Sequence, residues 1–268
     1  MKKQEIYQQV KDQIANFGVN PINDVGKILN IVQSCSLPEK EVMSTTQFIY
    51  TKLCQEVKGV DLNQARQSWV VASGNNFESF IRNFINDSLN SEGILAVKGD
   101  RLKRKKKAKE IVKFLTLTAK RRCTQTTTGV WPDSDIVVLT KNKKNSFMAF
   151  ALLNCKTSDH SRNDAVLFWA LALRDNNIKY CLVTQDLDNR FIKGDHDKRI
   201  SNLRKKSEAY LDRVFTSNPL TEECGQIRKL DFIKPNGAAS LLNDLRTWRK
   251  EVVPDYLEGL LIENDLLS

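Results

Sequence analysis

Asp135-Ile-Val-Val-Leu-Thr140, then Lys141-Asn-Lys-Lys-Asn145, then Phe147-Met-Ala-Phe-Ala-Leu-Leu-Asn-Cys-Lys156 decide the fold of this chain. The outer runs are β-branched, aliphatic and aromatic, and the lysine and asparagine stretch between them reads as a hairpin turn. Apolar residues occupy both faces of the second run, so its sheet is expected to be covered on both sides. A hairpin brings its two open ends together. Asp135, which opens one strand, and Lys156, which closes its neighbour, are therefore expected close in space. Side chains two apart share a face, which puts Asn154 beside Lys156.

Upstream of the hairpin, Phe77, Phe80, Ile81, Phe84, Ile85 and Leu89 form one apolar stripe, preceded by Ser73-Gly74-Asn-Asn and ended by Gly93; the spacing predicts an amphipathic helix. Residues 94–97 read as a short strand. Downstream, helix is expected over 164–173, strand over 178–183, helix over 198–215, strand over 230–233, and helix over 238–261 with an interruption near Pro254. The first 72 residues repeat apolar positions at three and four (Ile6, Val10, Ile14, Phe17; Val25, Ile28, Leu29, Val32), with Pro21 and Pro38 where segments would begin. They read as three or four short helices. The expected architecture is α/β: a helical region over 1–72, then a main domain over 73–268 with a mixed central sheet flanked by helices.

A chain of 268 residues suits one main domain with an extension. Its 42 Lys and Arg against 32 Asp and Glu leave a net charge of +10, which favours a polyanionic partner, nucleic acid ahead of an anionic membrane. No run approaches the roughly 18 apolar residues of a membrane span, and Met1-Lys-Lys-Gln-Glu-Ile lacks the apolar core of a signal peptide. A soluble, cytoplasmic protein without membrane association is expected. Six scattered cysteines form no CxxC pair and have only His160 and His196 as imidazole partners, so reduced thiols are expected in place of zinc or disulfides.

Asp135 and Lys156 suggest phosphodiester hydrolysis, which needs a hard cation, oxygen ligands to hold it, and a group to orient the attacking water. Asp135 would supply the first ligand and the Cys155 carbonyl a second. Lys156 would position the water or stabilise charge at phosphorus. Glu78 on the amphipathic helix would complete the metal site; its bland alternative is a helix-start acid facing the dipole. The cluster Arg101-Leu-Lys-Arg-Lys-Lys-Lys-Ala-Lys109, with Lys103, Arg104, Lys105 and Lys106, would contact phosphates and make binding salt-dependent; the alternatives are a solvated face or a localisation signal.

Ser68-Trp69, Ser73-Gly74-Asn-Asn-Phe77-Glu78, Pro132-Asp133-Ser-Asp135-Ile-Val-Val and Lys156-Thr-Ser-Asp-His-Ser-Arg162, in this order, resemble the PD-(D/E)xK nuclease superfamily. Within it they resemble the type II restriction endonucleases that recognise CCGG-containing sites, the BsaWI and AgeI group. The resemblance covers roughly residues 66–175. It implies a restriction-endonuclease-like fold and Mg2+-dependent, sequence-specific cleavage of double-stranded DNA to 5′-phosphates by a homodimer in the bacterial or archaeal cytoplasm. Ser158, Asp159, His160 and Arg162 would lie at the DNA, since the group's base-reading cluster follows the lysine and arginine reads guanine bidentately. The superfamily's label would favour Asp133; Asp135 is preferred because it directly precedes the β-branched run. Asn154 replaces the acid usual two residues before the lysine, so the carboxylate is expected elsewhere, on Glu78 or, failing that, Asp164. Rival expectations are a structure-selective or repair nuclease of the same fold, a catalytically silent DNA-binding subunit, and an RNA-binding scaffold.

Overall fold

The structure, a computed structural model, describes residues 3–16, 28, 31, 32, 34, 35, 37, 39–120, 123, 125–157, 163–192, 200–232 and 236–257. Its main sheet has six strands: β1 (Ile94–Lys98), β4 (Ile136–Lys141), β5 (Phe147–Lys156), β6 (Lys179–Thr184), β7 (Arg213–Thr216) and β8 (Ile227–Lys229). They lie in the order β1-β4-β5-β6-β7-β8. Their connections set the pairing sense. Residues 142–146 join β4 to β5 as a tight antiparallel turn, in which the Asn142 side chain accepts the N–H groups of Lys144 and Ser146 and Asn145 adopts φ 58°. Helix α6 (Asn163–Ala172) carries the chain from β5 to β6 and α7 (Asn202–Tyr210) from β6 to β7, and such crossovers produce parallel pairs. The result is a mixed sheet, antiparallel at β1-β4-β5 and parallel beyond.

The chain forms two compact units, Met1–Phe77 and Glu78–Ser268. In the first, the described residues are helical, in α1 (Lys3–Asn16), α2 (Glu39–Lys58) and the first part of α3 (Leu62–Leu89), around a core that includes Ile6, Tyr7, Val10, Ile49, Leu53 and Trp69. Phe17, Pro21, Val25, Leu29 and Pro38 of the sequence reading fall outside the described residues. In the second unit, Val137, Leu139, Leu152, Tyr180 and Leu182 of the sheet are buried with Val166 and Trp169 of α6 and with Ile111 and Leu115 of α5 (Lys109–Leu115). Complete burial of each such aliphatic or aromatic side chain contributes about 1.5–3 kcal/mol.

Several elements differ from the sequence reading. Helix α3 runs straight through Ser73-Gly74-Asn-Asn, with Asn76 Nδ2 donating to the Ala72 carbonyl one turn back. Its buried stripe, from Trp69 through Phe77 to Ile81, outweighs the roughly 1 kcal/mol cost of a mid-helix glycine. The helix read over 198–215 ends at Tyr210, and Arg213–Thr216 is strand β7 instead. The strand placed at 230–233 is β8, three residues earlier. The last helix, α8 (Ala239–Val252), stops before Pro254, whose ring cannot continue it. A second small sheet, β2 (Leu117–Lys120) with β3 (Thr127–Val130), was not expected. Between β1 and β2 the chain forms α4 (Gly99–Lys103) and α5.

Candidate active site at the open end of the hairpin

Ile136 pairs with Leu153, so the chain leading into β4 passes the last residues of β5 without main-chain pairing, and Asp135 meets them with its side chain. Asp135 Oδ2 accepts the Cys155 N–H at 2.7 Å and lies 3.4 Å from Lys156 Nζ. The two charged side chains remain 26% and 22% exposed, so the pair opens to solvent. A strand residue sends its N–H and C=O to the same edge. The Cys155 carbonyl therefore faces the Asp135 side, while the Lys156 carbonyl faces β6 and accepts the Gln185 N–H at 3.1 Å.

The segment carrying Asp135 is gripped from two directions. The Asp133 carbonyl accepts Asn154 Nδ2 at 2.6 Å and the Tyr180 hydroxyl at 2.7 Å. On the other side the Gly99 N–H donates to the Asp135 carbonyl at 2.9 Å, and Gly99 approaches so closely that a Cβ there would sit 2.2 Å from the Ser134 oxygen. Asp133 itself is exposed, and the carboxylate that meets Lys156 belongs to Asp135. Asn154, fully buried, serves the backbone of this loop.

Glu78 comes from α3 and is buried, with Oε2 accepting Lys98 Nζ at 3.1 Å. Its Oε1 has no hydrogen-bond partner among the described residues. Burial pushes the Glu78 carboxyl above its ordinary range, Lys98 pulls it back, and the nearby Asp135 carboxylate pushes it up again. Glu78 is mid-helix, which removes the helix-start reading of this acid. Burial of the Cys155 thiol, with both carboxylates nearby, raises its pKa well above the usual thiol value. A protonated thiol makes a poor ligand, and only the main-chain oxygen of Cys155 suits a hard cation. Among the described residues no group of three or more His, Cys, Asp or Glu residues is placed to hold a metal, so a cation here would need that carbonyl beside the two carboxylates.

Asp164, the runner-up acid, is exposed at the start of α6 and pairs with Lys206 at 3.3 Å, not with Lys156. Ser158, Asp159, His160 and Arg162 fall outside the described residues. Lys103 closes α4, and Arg104, Lys105 and Lys106 follow it; all but the partly buried Lys105 are exposed. Sequence reasoning missed Lys98, Gly99 and Tyr180. The one available signal was Lys98-Gly99 at a strand end, since glycine there often marks close backbone approach.

Residues 123–234 match the family model of the BsaWI restriction endonuclease type 2. Among solved structures the chain is similar to the specific restriction endonuclease AgeI in complex with DNA, at 15% identity and TM-score 0.55, covering 89% of this chain and 91% of that one. It also matches the pre-specific BsaWI–DNA complex, at 12% identity and TM-score 0.43, over 86% and 91% of the two chains. No curated protein matches in sequence. Among the described residues no helix is long and apolar enough to cross a membrane.

Proposed function

We propose that this chain, which has the restriction-endonuclease fold and whose residues 123–234 match the BsaWI family model, is a type II enzyme cutting both strands of duplex DNA at a short palindromic sequence. The observation that carries this reading is the convergence of Asp135, Lys156 and the Cys155 main chain at the open end of one hairpin, with Glu78 within electrostatic reach. The donors fit magnesium: carboxylate oxygens of Asp135 and Glu78, including Glu78 Oε1, which has no hydrogen-bond partner among the described residues, and the Cys155 carbonyl. Magnesium, when bound, would neutralise charge on the scissile phosphate.

The protein's own groups do the rest. Asp135 and Glu78 would hold that cation, and the partly exposed Lys156 ammonium orients the attacking water and offsets charge growing on the phosphoryl oxygens. In-line attack breaks the bond to the 3′ oxygen and leaves a 5′-phosphate. Exposed cations at Lys103, Arg104 and Lys106, with Lys105, hold the duplex backbone, while Ser158, Asp159, His160 and Arg162 read bases. A two-fold symmetric site calls for a homodimer in which each subunit cuts one strand. The protein would act in the cytoplasm.

A second reading, a DNA-binding subunit without cleavage, is favoured by Asn154 standing where an acid would add charge. Digestion of a sequenced plasmid with and without magnesium decides between them. Discrete fragments support the enzyme, and retention of bound but intact plasmid supports the silent subunit.

A further inference from the structure

Lysines from three successive segments converge on one cavity of about 280 Å³. Lys103 ends α4, Lys105 follows it, and Lys109 and Lys113 stand one turn apart on α5; Val112, Thr116 and Thr118 complete the lining. Among the described residues no carboxylate lines this cavity. The Thr116 hydroxyl is bound to the Val112 carbonyl at 2.6 Å, so the donors presented include the Lys103, Lys109 and Lys113 ammonium groups and the Thr118 hydroxyl. Lys109 and Lys113 are like charges four apart on a helix, a pairing that destabilises it, and the Lys103 ammonium adds to that repulsion. Elsewhere in the same unit cations sit on acids: Lys179 with Glu251 at 3.1 Å, Arg213 with Asp244 at 2.7 Å, Arg246 with Glu92 at 2.6 Å. A concave surface walled by one sign of charge concentrates an oppositely charged ligand.

The position of the cavity suggests which anion it takes. Gly99, at the start of α4, donates to the Asp135 carbonyl, and Lys103 lies four residues on, roughly 6 Å along a helix rising about 1.5 Å per residue. One DNA strand carries a phosphate roughly every 3.4 Å of axis. We propose that this groove grips backbone phosphates of the duplex within about two or three steps of the scissile bond. The proposal rests on the nuclease reading and goes beyond it in joining Lys109, Lys113 and Thr118 to Lys103 and Lys105 in one groove beside the site.

The test is duplex binding by the full chain without divalent metal, followed by fluorescence anisotropy at a series of KCl concentrations. The wild type is compared with Lys103→Ala/Lys109→Ala/Lys113→Ala and with Lys143→Ala/Lys144→Ala, which removes two exposed charges at the far end of the hairpin. The slope of log affinity against log salt falls by about 0.9 for each phosphate that the protein no longer neutralises, so the groove variant is expected to lose about two to three units and the hairpin variant none. A groove variant with the wild-type slope overturns the proposal while leaving the nuclease reading intact. If inorganic phosphate raises the melting temperature of the wild type and not of the groove variant, yet the duplex slopes agree, the cavity is a free-phosphate site and the proposal also falls. A wild type that binds no duplex removes the nuclease reading itself.

Discussion

Gly99→Ala adds a single carbon where the fold leaves no room for one. The new Cβ would stand 2.2 Å from the Ser134 carbonyl oxygen and 3.3 Å from its carbon, whereas ordinary contact begins at 3.4 Å. The main chain must therefore give by about 1.2 Å. It cannot give freely on one side only, because the Asp133 carbonyl is held by Asn154 and Tyr180 and the Asp135 carbonyl by Gly99 itself. Moving a reacting group by about 1 Å can cost about 100-fold in rate. Overpacking of this kind destabilises by roughly 1–3 kcal/mol, and each kcal/mol lowers the melting temperature by about 2–4 °C in a unit of this size. Single-turnover cleavage of a cognate duplex, with binding measured alongside, is expected to show the rate falling about 100-fold while affinity changes little. Gly74→Ala is the control: nothing lies within 4 Å of its Cβ, and removing a helical glycine should stabilise by about 0.5–1 kcal/mol with cleavage unchanged. A Gly99→Ala protein that melts and cleaves like the wild type would refute the claim that this contact sets the position of Asp135.

Asn154→Asp, which places an acid two residues before Lys156, is expected to harm the protein, because a carboxylate would face the Asp133 carbonyl that the amide now serves at 2.6 Å; losing that buried bond costs about 1–3 kcal/mol in thermal or urea unfolding, and a variant as stable as and faster than the wild type would contradict it. Burial raises the Glu78 carboxyl above its ordinary value of 4.5, with Lys98 opposing and Asp135 adding to the rise. Its contribution to stability is therefore fully present below the unfolded value and is lost as pH rises through the folded one. Glu78→Gln should flatten that fall in a series of melting curves from pH 4 upwards, and superimposable curves for the two proteins would show the shift to be absent. Asn86 joins α3 to β1 by donating to the Ala96 carbonyl at 3.0 Å and accepting its N–H at 2.7 Å. Asn86→Ala should lose about 1–3 kcal/mol in urea unfolding, and a loss below a few tenths would make the clamp dispensable.

The central hairpin was legible because a fully buried strand pair has a one-dimensional signature: two apolar runs around a polar turn. Its open end followed from geometry alone, which is why Asp135 and Lys156 could be paired across twenty residues. Strand β7 was hidden because Leu211, Val214 and Phe215 continue a helical spacing, and only the parallel register beside β6 selects the extended form. The β2–β3 hairpin carries few apolar residues and stands largely exposed, so no periodicity marked it. Ser73-Gly74 looked like a helix boundary because local propensity is all a sequence displays, whereas burial on both sides of it carries α3 through. Lys98 and Gly99 gained meaning only when Glu78 and Ser134 were found opposite them.

Incubation of a sequenced supercoiled plasmid with the purified wild type and with Lys156→Ala, each with and without magnesium, bears most directly on the hairpin site. The expected result is discrete fragments with 5′-phosphate ends from the wild type only when magnesium is present. Lys156→Ala, whose folded Asp135 keeps the Cys155 N–H as a partner, should still retard the same DNA without cutting it. Wild-type protein that binds the plasmid and never cuts it, or a Lys156→Ala protein that cuts at the wild-type rate, would contradict the assignment of catalysis to this pair.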